Sequence, residues 1–322
     1  MTTHVLKSVH NGCTTAEPKK DGNGKPPGPG YRLDAKGRQD AEDDRLSLLE
    51  SIFDPLSRRR RAMVRPGWRC LEVGAGRGSM AVWLAQQVGE SGQVVATDID
   101  LTYLSRLRLP NLEVRRHNIL DDPLEALGPG SFDLVCSRLM LFWLPGRQEL
   151  ALRRMVECLR PGGWLVDEDG DWGTVSAVDP SHPHYASYHG AYRDGEWWTS
   201  RGYDPRFGRK LPMLFERCGL ENISHEATAQ AVCGGGPWAR WWQLTFEAIR
   251  SWEQADHGLT DARGEEYKAL LAPWNDQSFW FLNALVHGCW GQRQDHTRAV
   301  AARGGDDWRV SGDEGGDCGG DW

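Results

Sequence analysis

The chain has 322 residues, enough to bury a sizeable core in one large domain or in one domain with an insertion. Its 38 lysines and arginines against 45 aspartates and glutamates leave a net charge of -7, which argues against a nucleic-acid partner, because a phosphate backbone would be repelled. The eight cysteines are scattered, with no CxxC pair and no histidines at zinc-ligand spacing, so neither a metal site nor a disulfide framework is expected.

In chain order, residues 1–30 are rich in glycine, proline, lysine and threonine without a periodic apolar face, and are expected to be a disordered tail. No apolar signal core stands at the N-terminus, and no segment approaches the ~20 apolar residues that cross a bilayer. The expectation is a cytoplasmic protein with no membrane partner. From Asp40 to Arg61, Leu46, Leu48, Leu49, Ile52, Phe53 and Leu56 recur at helical spacing. The basic run Arg58 to Arg61 reads as the solvated end of that helix, where positive charge suits the macrodipole, rather than as a binding patch.

The next hundred residues alternate short apolar runs with helical patterns, as a parallel sheet covered on both faces requires. Strands are expected at Arg69 to Val73, Val94 to Thr97, Leu112 to Arg115, Phe132 to Cys136 and Trp164 to Asp167. Helices are expected at Ser79 to Val88, Thr102 to Leu107 and Arg147 to Leu159, with Pro161-Gly-Gly163 as the turn that stops the last. Right-handed crossovers would join these strands into a Rossmann-like half. Beyond Gly170 the character changes: ten of the sixteen tryptophans fall between Trp172 and Trp290, which suggests a helical, Trp-rich cap over about 171–275. Phe279 to Trp290 could add the closing strand. The glycine- and aspartate-rich stretch within 294–322 reads as a second disordered tail.

Glu72-Val-Gly-Ala-Gly-Arg-Gly78 sits where the first strand turns into a helix. Such a turn by itself indicates only a nucleotide-like ligand. Here the third glycine comes one residue too early for the dinucleotide fingerprint, Ser79 stands where that motif wants glycine or alanine, and Glu72 would repel a pyrophosphate. A phosphate-free zwitterion carrying a sulfonium and an ammonium would instead be attracted by Glu72. Asp98, ending the second strand, could accept both ribose hydroxyls, and Ile99 could pack on an adenine face. Taken singly, Glu72 could equally be a capping or salt-bridge carboxylate and Asp98 a solvated strand end.

Cys70-Leu-Glu-Val-Gly-Ala-Gly-Arg-Gly78, Val94-Val-Ala-Thr-Asp-Ile-Asp100, Phe132-Asp-Leu-Val-Cys-Ser-Arg138 and Leu159-Arg-Pro-Gly-Gly-Trp-Leu-Val166 resemble successive motifs of the class I S-adenosylmethionine-dependent methyltransferases, in the flavour of bacterial small-molecule enzymes. The resemblance implies an α/β fold, with a Rossmann-like, mostly parallel seven-stranded sheet and helices on both faces, over about 31–293. It implies that Gly74 and Gly76 line the cofactor turn, Glu72 orients the cofactor and Asp98 holds the ribose. Family members usually carry an acid after the third strand, whereas this chain has Asn118 followed by Ile119, so adenine would be met by an uncharged amide. Ser137 and Arg138 would lie under the methionine end. Tyr31, in Tyr31-Arg-Leu-Asp34, resembles an element that closes over the cofactor carboxylate, although a packing role fits a loop tyrosine as well.

Methyl transfer is a direct displacement, so the protein must align a nucleophile and exclude water, and a hydroxyl nucleophile is helped by a base. His182, His184 and His189 follow the fifth strand, on the substrate side of this fold, and Asp169 and Asp171 leave that strand's carboxyl end. His184, His189 and Asp171 are the foremost candidates, with surface histidines and a capped turn as the plain alternatives. Trp143, Trp172, Trp197 and Trp198 could wall an apolar pocket. In the doublets Trp197-Trp198 and Trp241-Trp242, neighbouring rings should lie on different faces of a helix and so not serve one core face equally. The reading is transfer of a methyl group to a small hydrophobic or aromatic metabolite, at oxygen before nitrogen or carbon, in a monomer or a homodimer. The alternatives are an NAD(P)-dependent oxidoreductase, which would lack its Tyr-x-x-x-Lys pair, and a non-catalytic cofactor binder.

Overall fold

The computed structural model describes residues 39–186, 188, 196–199, 202–257 and 271–295. Tyr31 and His189 lie outside the described residues, as do both expected tails except 294–295. The chain enters through helix α1 (Gln39–Arg60) and then alternates β1 (Arg69–Val73), α2 (Ser79–Val88), β2 (Gln93–Asp98), β3 (Leu112–Arg116), β4 (Phe132–Arg138), α3 (Gln148–Cys158) and β5 (Leu159–Asp171). After it come β6 (Ser176–Ala177), α4 (Leu211–Arg217), β7 (Leu220–Thr228), β8 (Ala231–Cys233), α5 (Pro237–His257), β9 (Trp280–Leu282) and β10 (Leu285–Arg293).

Seven strands form one sheet in the order β3-β2-β1-β4-β5-β10-β7. Neighbours are parallel except β10, which runs antiparallel to both β5 and β7. Successive residues of each strand point to opposite faces, and the apolar runs fill both. Cys70, Val94, Ala96, Leu134 and Val166 pack beneath Ala81, Leu84, Ala85 and Val88 of α2. Their neighbours Leu71, Val95, Val135 and Leu165 pack against Ala151, Leu152 and Met155 of α3 and Leu211 and Phe215 of α4. This is the doubly covered, Rossmann-like sheet that the alternation of runs implies.

Three details depart from the sequence reading. Between β2 and β3 the expected helix shrinks to a single 3-10 turn, Leu104–Arg106, because few residues separate the strands and Pro110 stops further winding. The Pro161-Gly-Gly163 segment lies within β5, at an irregular start where the register against β4 shifts. β10 does not close the sheet at its edge; it inserts between β5 and β7.

α4 and β7 return to the main sheet and split the region after β5 into two stretches: β6 from the first pairs with β9 from the second, which also supplies β8 and α5, to give a three-stranded sheet in the order β6-β9-β8. The cap is thus partly β-structured. Its core is aromatic: Trp238, Trp241, Trp242, Trp274, Phe279 and Phe281 cluster with Phe53 of α1. Trp241 and Trp242 are both buried in that single cluster, contrary to the expectation for a doublet, because Phe53 of α1 meets the first while Trp274 stacks on the second.

The basic run closing α1 is also not simply solvated. Arg58 and Arg59 are exposed, but Arg60 and Arg61 are buried against the sheet. Both guanidinium groups pair with the buried carboxylate of Glu168 on β5. Arg60 also donates to Glu226 and to the Val286 carbonyl, and Arg61 to the carbonyls of Ser57 and Ser137. These bonds compensate charges that would otherwise be costly to bury, and they fix α1 across the carboxyl ends of the strands. Among the described residues no helix is long and apolar enough to cross a membrane, and Cys70, Cys136, Cys158, Cys218, Cys233 and Cys289 are free thiols.

Candidate active site

A cavity of about 490 Å³ opens over the carboxyl ends of β1, β2, β4 and β5, within the size range of small-ligand sites. Its floor is the glycine turn. Gly74 and Gly76 adopt positive φ of 71° and 58°, and a Cβ on Gly74 would come within 2.6 Å of Met140 Cγ, so glycine is required there for shape as well as for backbone.

Most of the turn's N–H groups already have acceptors. Gly74 and Ala75 donate to the Thr97 carbonyl, Gly78 to the Ala75 carbonyl, Gly76 to Asp98 Oδ2 at 2.9 Å, and Ser79 to Glu50 of α1 at 3.2 Å. A phosphate cradle needs such groups free. This turn offers a ligand carboxylates instead.

Glu72 and Asp98 line the cavity, and among the described residues neither has a cationic partner within ion-pair distance. Glu72 is buried, its Oε2 has no hydrogen-bond partner among the described residues, and burial pushes its pKa up to about 7 against the opposing pull of Arg138 and Arg61. Burial likewise raises Asp98, partly offset by the N–H groups of Gly76, Asp100 and Ile99. A cationic ligand arriving here would relieve both. Because Glu72 titrates near 7 in the fold, against 4.5 for an ordinary solvated glutamate, the unfolded chain binds fewer protons in that window and this group lowers stability as pH rises through it. Glu72→Gln is therefore expected to gain in melting temperature relative to the native chain as pH goes from about 4.5 to about 7. Paired thermal melts across that range check this, and a constant difference would refute it.

Around this floor stand Ile99, Asn118, Ile119 and Arg138, all lining the cavity. Ile99 is 51% exposed, an apolar side chain facing open space at a strand end. The Asn118 side chain closes its own turn, donating to Asp121 and accepting from the Leu120 N–H. Asp121, which also lines the cavity and pairs with Arg147, brings an acid close to the position where the sequence motif lacks one. Arg138 is held by Asp54 of α1 at 2.7 Å. Leu139 next to it lines the cavity in a left-handed conformation, φ 53°, a strain of about 1–3 kcal/mol that the surrounding packing must hold. Ser137 does not reach the cavity: it is buried, and its hydroxyl donates to Asp167.

The far wall is aromatic, formed by Phe142, Trp143, Trp172, Trp198, Trp241 and Trp242. The Trp197 side chain lies outside the described residues. α1 supplies another wall with Glu42, Arg45, Leu46, Leu49 and Glu50, a contribution its helical periodicity could not reveal, since the same stripe suits an ordinary core contact.

Two of the three foremost base candidates, Asp171 and His184, fall outside the cavity, and the third, His189, lies outside the described residues. Asp171 turns to Arg209, whose half-exposed guanidinium pairs with its buried carboxylate. His184 lies against Asp276 Oδ2 at 3.4 Å and beside the rings of His182 and Phe279. Asp169, two residues before Asp171, does line the cavity. No group of three potential metal ligands is found among the described residues.

Residues 71–167 match the methyltransferase domain family model. Among characterised proteins, the chain is similar to methyltransferase str3 of Strobilurus tenacellus, 32% identical over 150 residues, 46% of this chain and 51% of that protein. It is also similar to demethylmenaquinone methyltransferase of Lysinibacillus sphaericus, 25% identical over 51% of this chain and 74% of that protein. Methyltransferase str2 of Strobilurus tenacellus is 35% identical over 105 residues, 32% of this chain and 36% of that protein. The chain thus spans about half the length of str3 and about a third of str2. A solved phosphoethanolamine N-methyltransferase 2 from Haemonchus contortus aligns over 82% of this chain and 59% of that one, at 16% identity and a TM-score of 0.48. The similarity to methyltransferases thus rests on a methyltransferase domain match at residues 71–167.

Proposed function

We propose that this protein is an S-adenosylmethionine-dependent methyltransferase acting on a small hydrophobic or aromatic acceptor, with oxygen as the favoured methylated atom. The observation that carries the reading is the pairing of a glycine turn whose N–H groups are largely spent with two carboxylates, Glu72 and Asp98, that among the described residues have no cation in ion-pair contact. That pairing suits a cation and repels a pyrophosphate, which disfavours the nicotinamide alternative.

Gly74 and Gly76 would let the cofactor lie close to the backbone, Asp98 would take the ribose hydroxyls, and Ile99 and Ile119 would pack on the adenine, with Asn118 at its edge. Glu72 would face the amino-acid end. The bound cofactor supplies an electrophilic methyl carbon. The chain's own work is then to orient the acceptor and keep water out, and the wall of tryptophans does both. Trp241 supports an oxygen-bearing acceptor, because its buried Nε1–H has no acceptor among the described residues and its ring lies on the cavity wall.

Calorimetric titration with S-adenosylhomocysteine and with NADH tests the reading. Binding of the first and none of the second is expected, and tight binding of NADH alone would overturn it. A protein that binds S-adenosylhomocysteine yet methylates no compound in a panel of phenols, amines and activated carbon acids would be a binder instead.

A further inference from the structure

Glu42, Glu50 and Asp121 on the cavity wall each have an arginine within ion-pair distance. Glu72, Asp98, Asp100 and Asp169 also line it, and among the described residues none of these four has an Arg, Lys or His side chain in ion-pair contact. Glu72 and Asp98 belong to the glycine turn, and Asp100 closes its own turn by accepting from the N–H and hydroxyl of Thr102. Asp169 stands apart from them, since β5 alternates and its odd-numbered residues face the α3 and α4 side of the sheet, whereas Glu72 faces the α2 side. Its neighbours in the cavity are the aromatic rings.

Two backbone donors fix the Asp169 carboxylate. Oδ2 accepts the Phe142 N–H at 2.9 Å, at the first residues of the 3-10 turn Leu141–Trp143, and Oδ1 accepts the Gly170 N–H at 2.8 Å. Each oxygen keeps a second lone pair. Gly208 presses on the backbone behind it, where a Cβ would come within 2.6 Å of the Asp169 carbonyl oxygen. The charged and titratable neighbours are Asp167 on the same strand face and His287, its cross-strand partner on β10. His287 is held neutral by burial and by His225, with a pKa of about 4, and Asp167 is itself pushed up to about 7 by burial. Among the described residues no cation faces Asp169, and burial together with Asp167 raises its proton affinity well above that of an ordinary aspartate.

We propose that Asp169 is the acceptor-side base of this cavity, taking the proton of a phenol-type hydroxyl held among Phe142, Trp172 and Trp198. This rests on the methyltransferase reading. The hydroxyl O–H bond breaks and the proton passes to an Asp169 carboxylate oxygen. The freed oxygen lone pair forms the new O–CH3 bond, and the sulfonium S–CH3 bond breaks with its electron pair left on sulfur. The proton on Asp169 leaves to solvent after product release. A buried carboxylate of raised proton affinity is matched to this work, since an ordinary aspartate is too weak a base at neutral pH.

The proton transfer can be read without turnover. 4-Nitrophenol, whose phenol and phenolate forms absorb at separate wavelengths, is titrated into the full chain saturated with S-adenosylhomocysteine, below the free probe's own titration midpoint. The native chain should bind it, quench tryptophan fluorescence and shift the bound probe to the phenolate band. Asp169→Asn should bind S-adenosylhomocysteine normally, hold the probe about tenfold more weakly and leave it in the phenol band. Asp169→Glu should restore part of the phenolate band. If Asp169→Asn does not fold, the native spectrum decides, because a bound probe that stays neutral removes the base. No probe binding to the native chain, or the same phenolate band in Asp169→Asn, also overturns the proposal. Failure to bind S-adenosylhomocysteine would instead count against the methyltransferase reading.

Discussion

Replacing Glu168 with alanine is expected to destabilise the protein by about 3–5 kcal/mol, because it strands two buried guanidinium groups, Arg60 and Arg61, without their shared carboxylate. Little in the surroundings can substitute. Of these two arginines Glu226 reaches Arg60 and not Arg61, whose other hydrogen bonds go to backbone carbonyls. Urea denaturation followed by tryptophan fluorescence should show the midpoint fall sharply or the native baseline vanish. Combining Glu168→Leu with Arg60→Met and Arg61→Met should recover much of the loss, because removing the whole ionic group also removes its desolvation cost. A midpoint unchanged in Glu168→Ala would mean that α1 is not anchored by this triad.

Asp98→Ala is expected to weaken S-adenosylhomocysteine binding by about 1–3 kcal/mol, the usual worth of a charged hydrogen bond. The structure complicates the variant usefully. Asp98 Oδ2 accepts the Gly76 N–H, so alanine removes a support of the turn as well as the charge. Asp98→Asn keeps an oxygen for Gly76 and loses only the charge, so it should fall between alanine and the native chain. Calorimetry on both variants separates the two effects. A dissociation constant unchanged in both would show that Asp98 does not meet the ribose.

The sheet was legible because each strand carries its own evidence. Arg69 to Val73 and Ser79 to Val88 emerge with the bounds their apolar patterns imply, since short runs buried on both faces read plainly even without neighbours. Glu72, Gly74, Gly76 and Asp98 could be singled out for a similar reason, as the turn that joins them is local in sequence. What could not be read was anything decided across the chain. Arg60 and Arg61 look like a solvated helix end until β5 supplies Glu168. The choice between Asp169 and Asp171 depends on which one Arg209 claims, and that arginine sits far along the sequence. The wall supplied by α1 depends on how that helix is laid across the strand ends, which periodicity does not encode.

The insertion of β10 between β5 and β7 bears on how the protein comes to be made. The partner that completes β5 is almost the last described segment to leave the ribosome. Until then β5 presents an unpaired strand edge, with its row of buried acids still in water, while the tryptophan-rich stretches emerge beside it. Such a nascent chain is slow to finish and prone to wrong pairings, because distant contacts must close before any of them is rewarded. Truncation just before β10 should therefore release an aggregating intermediate rather than a smaller working domain.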